Sequence, residues 1–209
     1  MKIISNFVVF EGSDGSGTTT QLSMLCERLK NSGKPVLFPT FEPTDGQIGK
    51  LIRLSLKKEV VLEAETLAFL FSADRNEHLN GKGGIIEQIN SGCLVVSDRY
   101  VLSSLVYQGI ECGDELPLML NKSFGIPEIT ILFDIDTEIA LSRMKERSSL
   151  EIYEYREFQE KVREKYKIAA DIYREKGARI EIIDASHSVK EVSDKVWSIV
   201  SSMPIFNKQ

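Results

Sequence analysis

The sequence predicts a doubly wound α/β fold, in which a parallel β-sheet carries helices on both faces. Three observations lead to this fold class. Short apolar runs recur along the chain, each run is continuous and does not alternate with polar residues, and longer stretches with helical spacing lie between them. Continuous apolar runs are typical of parallel strands that are buried on both faces. Strands that alternate with helices indicate a parallel sheet.

Five apolar runs are the predicted strands of one five-stranded parallel sheet. In chain order they are residues 7–10, 36–38, 93–97, 130–134 and 179–184. After the first run, Leu22, Leu25 and Leu29 are spaced to share one face of a helix. Before the last run, apolar side chains recur at steps of four, four, three and four, at Phe158, Val162, Tyr166, Ala169 and Tyr173. Helices on both faces of the sheet make a three-layer fold.

Composition excludes several classes of protein. The chain has 209 residues, and its 42% apolar and 27% charged residues are ordinary for a globular protein. Lys and Arg number 26 against 31 Asp and Glu, so the net charge is −5, which argues against a protein that coats nucleic acid. Without a repeat or a linker, we expect a single domain over residues 1–209. No apolar stretch reaches the ~18 residues of a membrane span.

Cysteine and histidine are too few and too scattered for several kinds of site. Cys26, Cys93 and Cys112 are far apart, and His78 and His187 are the two histidines. A structural zinc site, a disulfide framework and a hydrolase triad are therefore not expected. The first ten residues lack the long apolar stretch of a secretory signal, so we expect a cytoplasmic protein with reduced thiols.

The first predicted strand runs into a glycine-rich loop, and a predicted helix follows. Gly12 and Gly17 have the G-x-x-x-x-G spacing of a Walker A motif, which predicts a P-loop NTPase fold. Backbone N–H groups of such a loop wrap a phosphate, and the helix N-terminus adds its dipole. The candidate phosphate-binding residues are Gly12, Ser13, Asp14, Gly15, Ser16, Gly17, Thr18, Thr19 and Thr20.

The motif lacks its lysine, because Thr18 stands where the Walker A motif has Lys. Thr19 follows at the position whose hydroxyl binds Mg²⁺. On this motif alone, a glycine-rich turn that binds no ligand remains an alternative.

Motifs at the other predicted strand ends resemble those of thymidylate kinases. Asp98-Arg99-Tyr100 follows the third run, and Tyr107-Gln108 lies further on. The resemblance also covers residues 69–75, the Glu42-Pro43 turn, residues 127–143 and residues 183–186, and it extends from about residue 7 to residue 200. Members of this family transfer the γ-phosphoryl group of ATP to dTMP with Mg²⁺. The resemblance implies dTMP and ATP as substrates, Mg²⁺ as cofactor and a homodimer packed through helices.

The resemblance also implies roles for single residues. Phe71 would stack on thymine, Arg75 would grip the dTMP phosphate, and Gln108 would read the base edge. Arg99 would bridge the two substrates and stabilise the transferring group, and Asp14 would approach the sugar 3′-hydroxyl. The structural alternatives are a core side chain for Phe71 and a surface ion pair for Arg75.

Further residues complete the site that the resemblance implies. Thr19 and Asp98 would support Mg²⁺, the latter through water. The remaining candidates line the substrate and ATP sites, and they are Glu42, Ser103, Tyr107, Tyr153, Arg143 and Ala185.

Three positions depart from the family pattern: Thr18, Phe41 in place of Arg, and Ile152 at an Arg position of the lid, roughly residues 142–156. Arg143 and Arg147 are four apart and share a helix face. We hypothesise that Arg143, Arg147 or Arg156 acts with Arg99 to supply the missing charge, although Arg143 could instead stack on adenine. Two functions stay open beside a thymidylate kinase. One is a kinase of another nucleotide or nucleoside, and the other is a nucleotide-binding relative with little turnover.

Overall fold

The fold places five strands and nine helices along the described part of the chain. The computed structural model describes residues 2–32, 35–144 and 149–207, without the side chains of residues 31, 32 and 149–154. The elements are β1 (Ile3–Gly12), α1 (Thr18–Ser32), β2 (Leu37–Phe41), α2 (Gln47–Leu56), α3 (Ala64–Asn80), α4 (Ile85–Asn90), β3 (Leu94–Asp98), α5 (Val101–Cys112), α6 (Glu115–Asn121), β4 (Ile126–Asp134), α7 (Thr137–Arg143), α8 (Ser149–Glu175), β5 (Ile180–Asp184), α9 (Val189–Val200) and a final 3₁₀ turn, Pro204–Asn207.

The strands form one parallel sheet in the order β2-β3-β1-β4-β5, which confirms the predicted five-stranded α/β sheet. Phe10 of the central strand β1 pairs with Asp98 of β3 on one side and with Ile131 of β4 on the other. The carboxyl ends of β1 and β3 therefore lie side by side. This register brings the glycine-rich loop next to Asp98 and Arg99.

Both faces of the sheet are buried, and each face has its own core. Along β1, Phe7 and Val9 pack with α5 and α8, whereas Val8 and Phe10 pack with α1 and α9. All four side chains are at most 1% exposed. Because successive residues of a strand point to opposite faces, burial on both faces requires an unbroken apolar run, as predicted. No helix in the three described ranges is long and apolar enough to cross a membrane.

Three strands extend well beyond their predicted bounds: β1, which covers Ile3–Gly12 and not only residues 7–10, and two strands that contain proline, β2 and β4. Strand β2 continues to Phe41, past Pro39, although residues 36–38 were the predicted strand. It is an edge strand of the sheet, where a missing N–H group costs no ladder hydrogen bond. Strand β4 begins at Ile126 and includes Pro127, whereas the prediction began at residue 130. The predicted bounds of β2 and β4 thus stopped short of these prolines, whereas the strands continue through them.

Candidate active site

The glycine-rich loop between β1 and α1 encloses one side of a cavity of about 400 Å³. Gly15 and Gly17 have φ values of +79° and +91°, which L side chains rarely adopt. At Gly12, a Cβ atom would lie 2.6 Å from Ser16 Oγ and 2.9 Å from the Phe133 carbonyl oxygen. Helix α1 begins directly after Gly17, so the unpaired N–H groups of its first turn lie at the loop. This arrangement suits a bound phosphate.

The residues that line this P-loop cavity include most of those predicted to bind ATP. Each residue of the loop from Ser13 to Thr20 takes part, and Gly12 directly precedes them. The other lining residues are Gln21, Asp98, Arg99, Arg143, Ala185, His187, Val189 and Val192. Three strand ends and α7 thus meet at one cavity. His187 is a member that the sequence did not identify.

Buried polar atoms beside the loop fit a phosphate with a divalent cation. Ser16 Oγ and Asp98 Oδ1 are buried and have no hydrogen-bond partner among the described residues. The Thr19 hydroxyl donates to Asp98 Oδ2 at 2.5 Å. Oxygen donors of this kind suit Mg²⁺, which commonly keeps several waters and binds substrate phosphates. Within the described ranges, no group of three or more His, Cys, Asp or Glu residues could hold a metal ion by itself.

Thr18, which replaces the Walker lysine, is buried at 7% exposure and brings no charge to the cavity. Of the three candidate replacements, Arg143 lines the cavity. Arg156 instead pairs with Glu138 at 2.9 Å and with Glu160 at 3.2 Å. Arg147 lies outside the described residues. Arg143 is therefore the described candidate that the fold brings to the loop.

Arg99 leaves β3 in a strained conformation and points its guanidinium at the loop. Its φ of 75° is left-handed, which costs a non-glycine residue about 1–3 kcal/mol. The Nη2 group donates to Asp14 Oδ1 at 2.7 Å, and Nη1 donates to the Gly12 carbonyl oxygen and the Tyr166 hydroxyl, both at 3.1 Å. The ion pair of Arg99 is thus made with the loop. Strain of this kind persists where surrounding contacts determine the conformation.

Glu11 anchors these contacts, although the sequence prediction did not select it. Its side chain is fully buried and accepts hydrogen bonds from the N–H groups of Tyr100, at 2.9 Å, and Ser103, at 3.3 Å. The Ser103 hydroxyl donates to it at 2.5 Å, and the Tyr166 hydroxyl donates at 3.3 Å. Glu11 thereby caps α5, whose N-cap residue Tyr100 makes no side-chain cap. Burial raises the pKa of Glu11 despite these donors.

A second cavity, of about 220 Å³, lies between α3 and α5. It contains most of the predicted dTMP-binding residues, and its lining includes Asp14, Glu42, Phe71, Arg75, Arg99, Ser103, Tyr107 and Gln108. Asp14 and Arg99 line this cavity and the P-loop cavity alike. The two cavities therefore meet at one ion pair. The side chain of Tyr153 lies outside the described part of α8.

Arg75 is buried within the protein and is not a surface residue. It is 1% exposed, and Nε donates to Glu42 at 2.9 Å. Its Nη2 donates to the Tyr100 carbonyl oxygen at 2.9 Å and to Ser104 at 3.0 Å, and Nη1 donates to Asn121. The charge of Arg75 is already balanced at the base of the cavity, so its role on the dTMP phosphate stays a prediction.

Gln108 offers an unused acceptor to the second cavity. Its side chain is 4% exposed, and Oε1 has no hydrogen-bond partner among the described residues. Phe71, on the facing helix α3, is half-buried against the same cavity. The Tyr107 hydroxyl accepts from Arg99 at 3.4 Å, and burial raises the pKa of Tyr107 to about 12. A flat ring and an amide oxygen are suitable contacts for a nucleobase.

Helix α8 adds a contact that the sequence did not reveal. The Tyr155 hydroxyl donates to Asp14 Oδ2 at 2.8 Å. The pairing depends on where α8 crosses the loop, and no motif at Tyr155 signals it. The sequence also did not identify His187 as a cavity residue, because its position follows from the turn that Asp184 and Ser186 form after β5.

Comparisons with known proteins agree on one family. A family model described as thymidylate kinase matches residues 10–196. A protein of Treponema pallidum named as a thymidylate kinase is 43% identical over 199 residues, which is 94% of this chain and 95% of the relative. Similarly named proteins of Methanococcus vannielii and Pyrobaculum aerophilum are 42% and 37% identical, over 81% and 96% of this chain and 80% and 98% of their own lengths.

The network at Glu11 predicts a pH-dependent effect of Glu11→Gln. The amide can keep all four contacts, because the Ser103 and Tyr166 hydroxyls can accept as well as donate. Since burial raises the pKa of Glu11, the folded protein holds a proton that the unfolded chain releases. The free energy of unfolding of the wild type therefore falls as pH rises above the ordinary glutamate range.

We expect the variant to gain stability relative to the wild type between about pH 4.5 and pH 7, as measured by urea unfolding. Glu191→Gln is the control with the opposite sign, because hydrogen bonds from Ser188 lower the pKa of Glu191. A stability difference for Glu11→Gln that stays constant with pH would contradict the argument.

Proposed function

The chain belongs to the thymidylate kinase family, and from this premise we propose that it transfers the γ-phosphoryl group of ATP to dTMP. The products are dTDP and ADP. The observation that carries the proposal is the meeting of two cavities at Arg99 and Asp14. One cavity has a phosphate-binding loop and the other has suitable contacts for a base. A kinase of nucleoside monophosphates needs its two substrate sites to meet at the position where the phosphoryl group is transferred.

In the proposed reaction, an oxygen of the dTMP phosphate forms a bond to the γ-phosphorus of ATP. The bond from that phosphorus to the bridging oxygen breaks, and ADP leaves with the electron pair. The protein holds the two anions in line and balances their charge. Arg99 supports this role because its guanidinium lies at the junction of the cavities, and a planar fork matches phosphate oxygens.

On the donor side, we assign the ATP phosphates to the loop from Gly12 to Thr20. Mg²⁺ would be held by Thr19 and, through water, by Asp98, and when bound it neutralises phosphate charge. Arg143 is our candidate for the charge that Thr18 lacks. Ala185 closes the same cavity, at the end of β5.

On the acceptor side, we propose that Phe71 stacks on thymine and that Gln108 Oε1 accepts from thymine N3–H. Asp14 approaches the sugar 3′-hydroxyl, because the sugar of a dTMP whose phosphate meets Arg99 is one ester bond away. The other proposed residues of the dTMP site line the same cavity, and they are Glu42, Arg75, Ser103 and Tyr107. The Ser103 hydroxyl acts mainly through Glu11, to which it already donates.

We also propose a cytoplasmic homodimer. Cys26, Cys93 and Cys112 are free, which suits a reducing compartment. Helices α2 and α6 both pack on α3, and the three helices carry large exposed apolar side chains, namely Leu51 and Leu54 on α2, Phe69 on α3 and Met119 on α6. Exposed apolar side chains on helices that pack together are typical of a protein interface.

The reaction is tested by dTDP formation from dTMP and ATP with Mg²⁺, using pure protein. We expect turnover with dTMP, weaker turnover with dUMP, which lacks the 5-methyl group, and little with dCMP, whose N3 cannot donate to Gln108. Thymidine should not react, because it brings no phosphate to Arg99. Binding of dTMP in a thermal-shift experiment without dTDP formation would reject the proposal and favour a nucleotide-binding relative.

Replacing Arg143 by Ala tests the source of the missing charge. We expect kcat to fall at least ~10-fold, because removal of a fixed charge stabiliser typically costs 10²–10³ in rate. Arg156→Ala is the matched control, since its described ion pairs are with Glu138 and Glu160, and we expect less than a two-fold change. A rise in the KM for ATP at constant kcat would instead indicate that Arg143 stacks on adenine.

The dimer is tested by Phe69→Asp, which places a charge in the apolar patch on α3. We expect sedimentation velocity to show a dimer for the wild type and a monomer for the variant. Ile168→Asp is the control, because Ile168 is similarly exposed but lies on α8. A monomeric wild type at micromolar concentration would reject the dimer.

A further inference from the structure

Helix α8 contacts both members of the ion pair at which the two cavities meet. The Tyr166 hydroxyl accepts from Arg99 at 3.1 Å, and the Tyr155 hydroxyl donates to Asp14 at 2.8 Å. Burial raises the pKa of Tyr166 well above its ordinary value, so this phenol stays protonated. The two tyrosines are three helical turns apart and converge on Arg99 and Asp14 from either side. Tyr166 also donates to Glu11, and Tyr155 contacts the Asp14 end of the pair.

Tyr155 is held in place by its own neighbours. Its ring stacks on Phe158 with 6.4 Å between centroids and 29° between planes. Its hydroxyl also lies 3.7 Å from Met144 Sδ, at the end of α7. The proton of the phenol goes to the carboxylate, because a charged acceptor is much stronger than a thioether. Tyr155 therefore presents its hydroxyl to Asp14 from a packed position.

The two contacts fix the plane of the Asp14 carboxylate. Arg99 binds Oδ1 and Tyr155 binds Oδ2. A carboxyl group with one partner can turn about its last torsion, since this torsion has broad minima, whereas partners on both oxygens hold it. An ionised carboxylate has about four acceptor sites, so about two remain for a ligand hydroxyl.

We propose that Tyr155 is a positioning residue that sets the recognition of the 3′-hydroxyl of dTMP by Asp14. The inference rests on the proposed function, because it assumes that dTMP occupies the second cavity. Tyr155 acts through Asp14 and needs no contact with the nucleotide. Its effect is therefore specific to the one substrate hydroxyl that Asp14 binds.

The experiment compares Tyr155→Phe with the wild type on two substrates, dTMP and 3′-deoxythymidine 5′-monophosphate. We expect the KM for dTMP to rise about five-fold in the variant at nearly constant kcat, as for the loss of one ordinary hydrogen bond. The KM for the 3′-deoxy substrate should not change. Tyr173→Phe removes a hydroxyl from the same helix at a site remote from Asp14, and it should leave both KM values unchanged.

Each other outcome overturns the inference. An equal rise for both substrates would mean that Tyr155 only docks α8. No change for either substrate would mean that Asp14 does not depend on Tyr155. A lower KM for dTMP would mean that Tyr155 competes with the substrate for Asp14. A wild type that forms no dTDP at all would reject the proposed function itself, and thermal unfolding of both variants verifies that they fold.

Discussion

The side chain of Glu11 is the contact on which the rest of the site depends. It lies fully buried near the end of the central strand, and its carboxyl oxygens accept hydrogen bonds from two backbone N–H groups of α5 and from the hydroxyls of Ser103 and Tyr166. These bonds hold α5 and α8 against β1. Arg99 lies between them, and its left-handed backbone persists because both neighbouring helices are fixed. A buried carboxyl group, which would be costly without hydrogen-bond partners, thus connects β1, α5 and α8.

The fold could be predicted from local patterns, and most of the site's members from motifs. Burial on both faces makes the runs around Phe10 and Val96 continuously apolar, so these strands could be recognised from the sequence. Proline concealed the full length of β2, because a sequence does not say which strand lies at the edge. Glu11 was not predicted as a site residue, because its partner Tyr100 is 89 positions away in the sequence. The burial of Arg75 could not be predicted either, since its hydrogen-bond partners come from three separate segments of the chain.

The contacts of α8 mark the limit of prediction from motifs. The resemblance directs attention to Tyr153, whose side chain lies outside the described residues. The contact to Asp14 comes from Tyr155, two positions further along the helix. That Tyr155 meets the loop depends on the angle and register at which α8 crosses it, and these follow from tertiary packing and not from a local motif.

The ion pair between Arg99 and Asp14 has a thermodynamic consequence, because it belongs to both cavities. In the free protein the two charges satisfy one another at 2.7 Å. An anion that enters either cavity draws on the same guanidinium, and so changes the electrostatic environment that the other substrate meets. By linkage, this influence is reciprocal and of equal size in both directions. Binding of ATP and binding of dTMP are thereby coupled through one guanidinium, and a substitution of Arg99 or Asp14, which line both cavities, acts on this coupling.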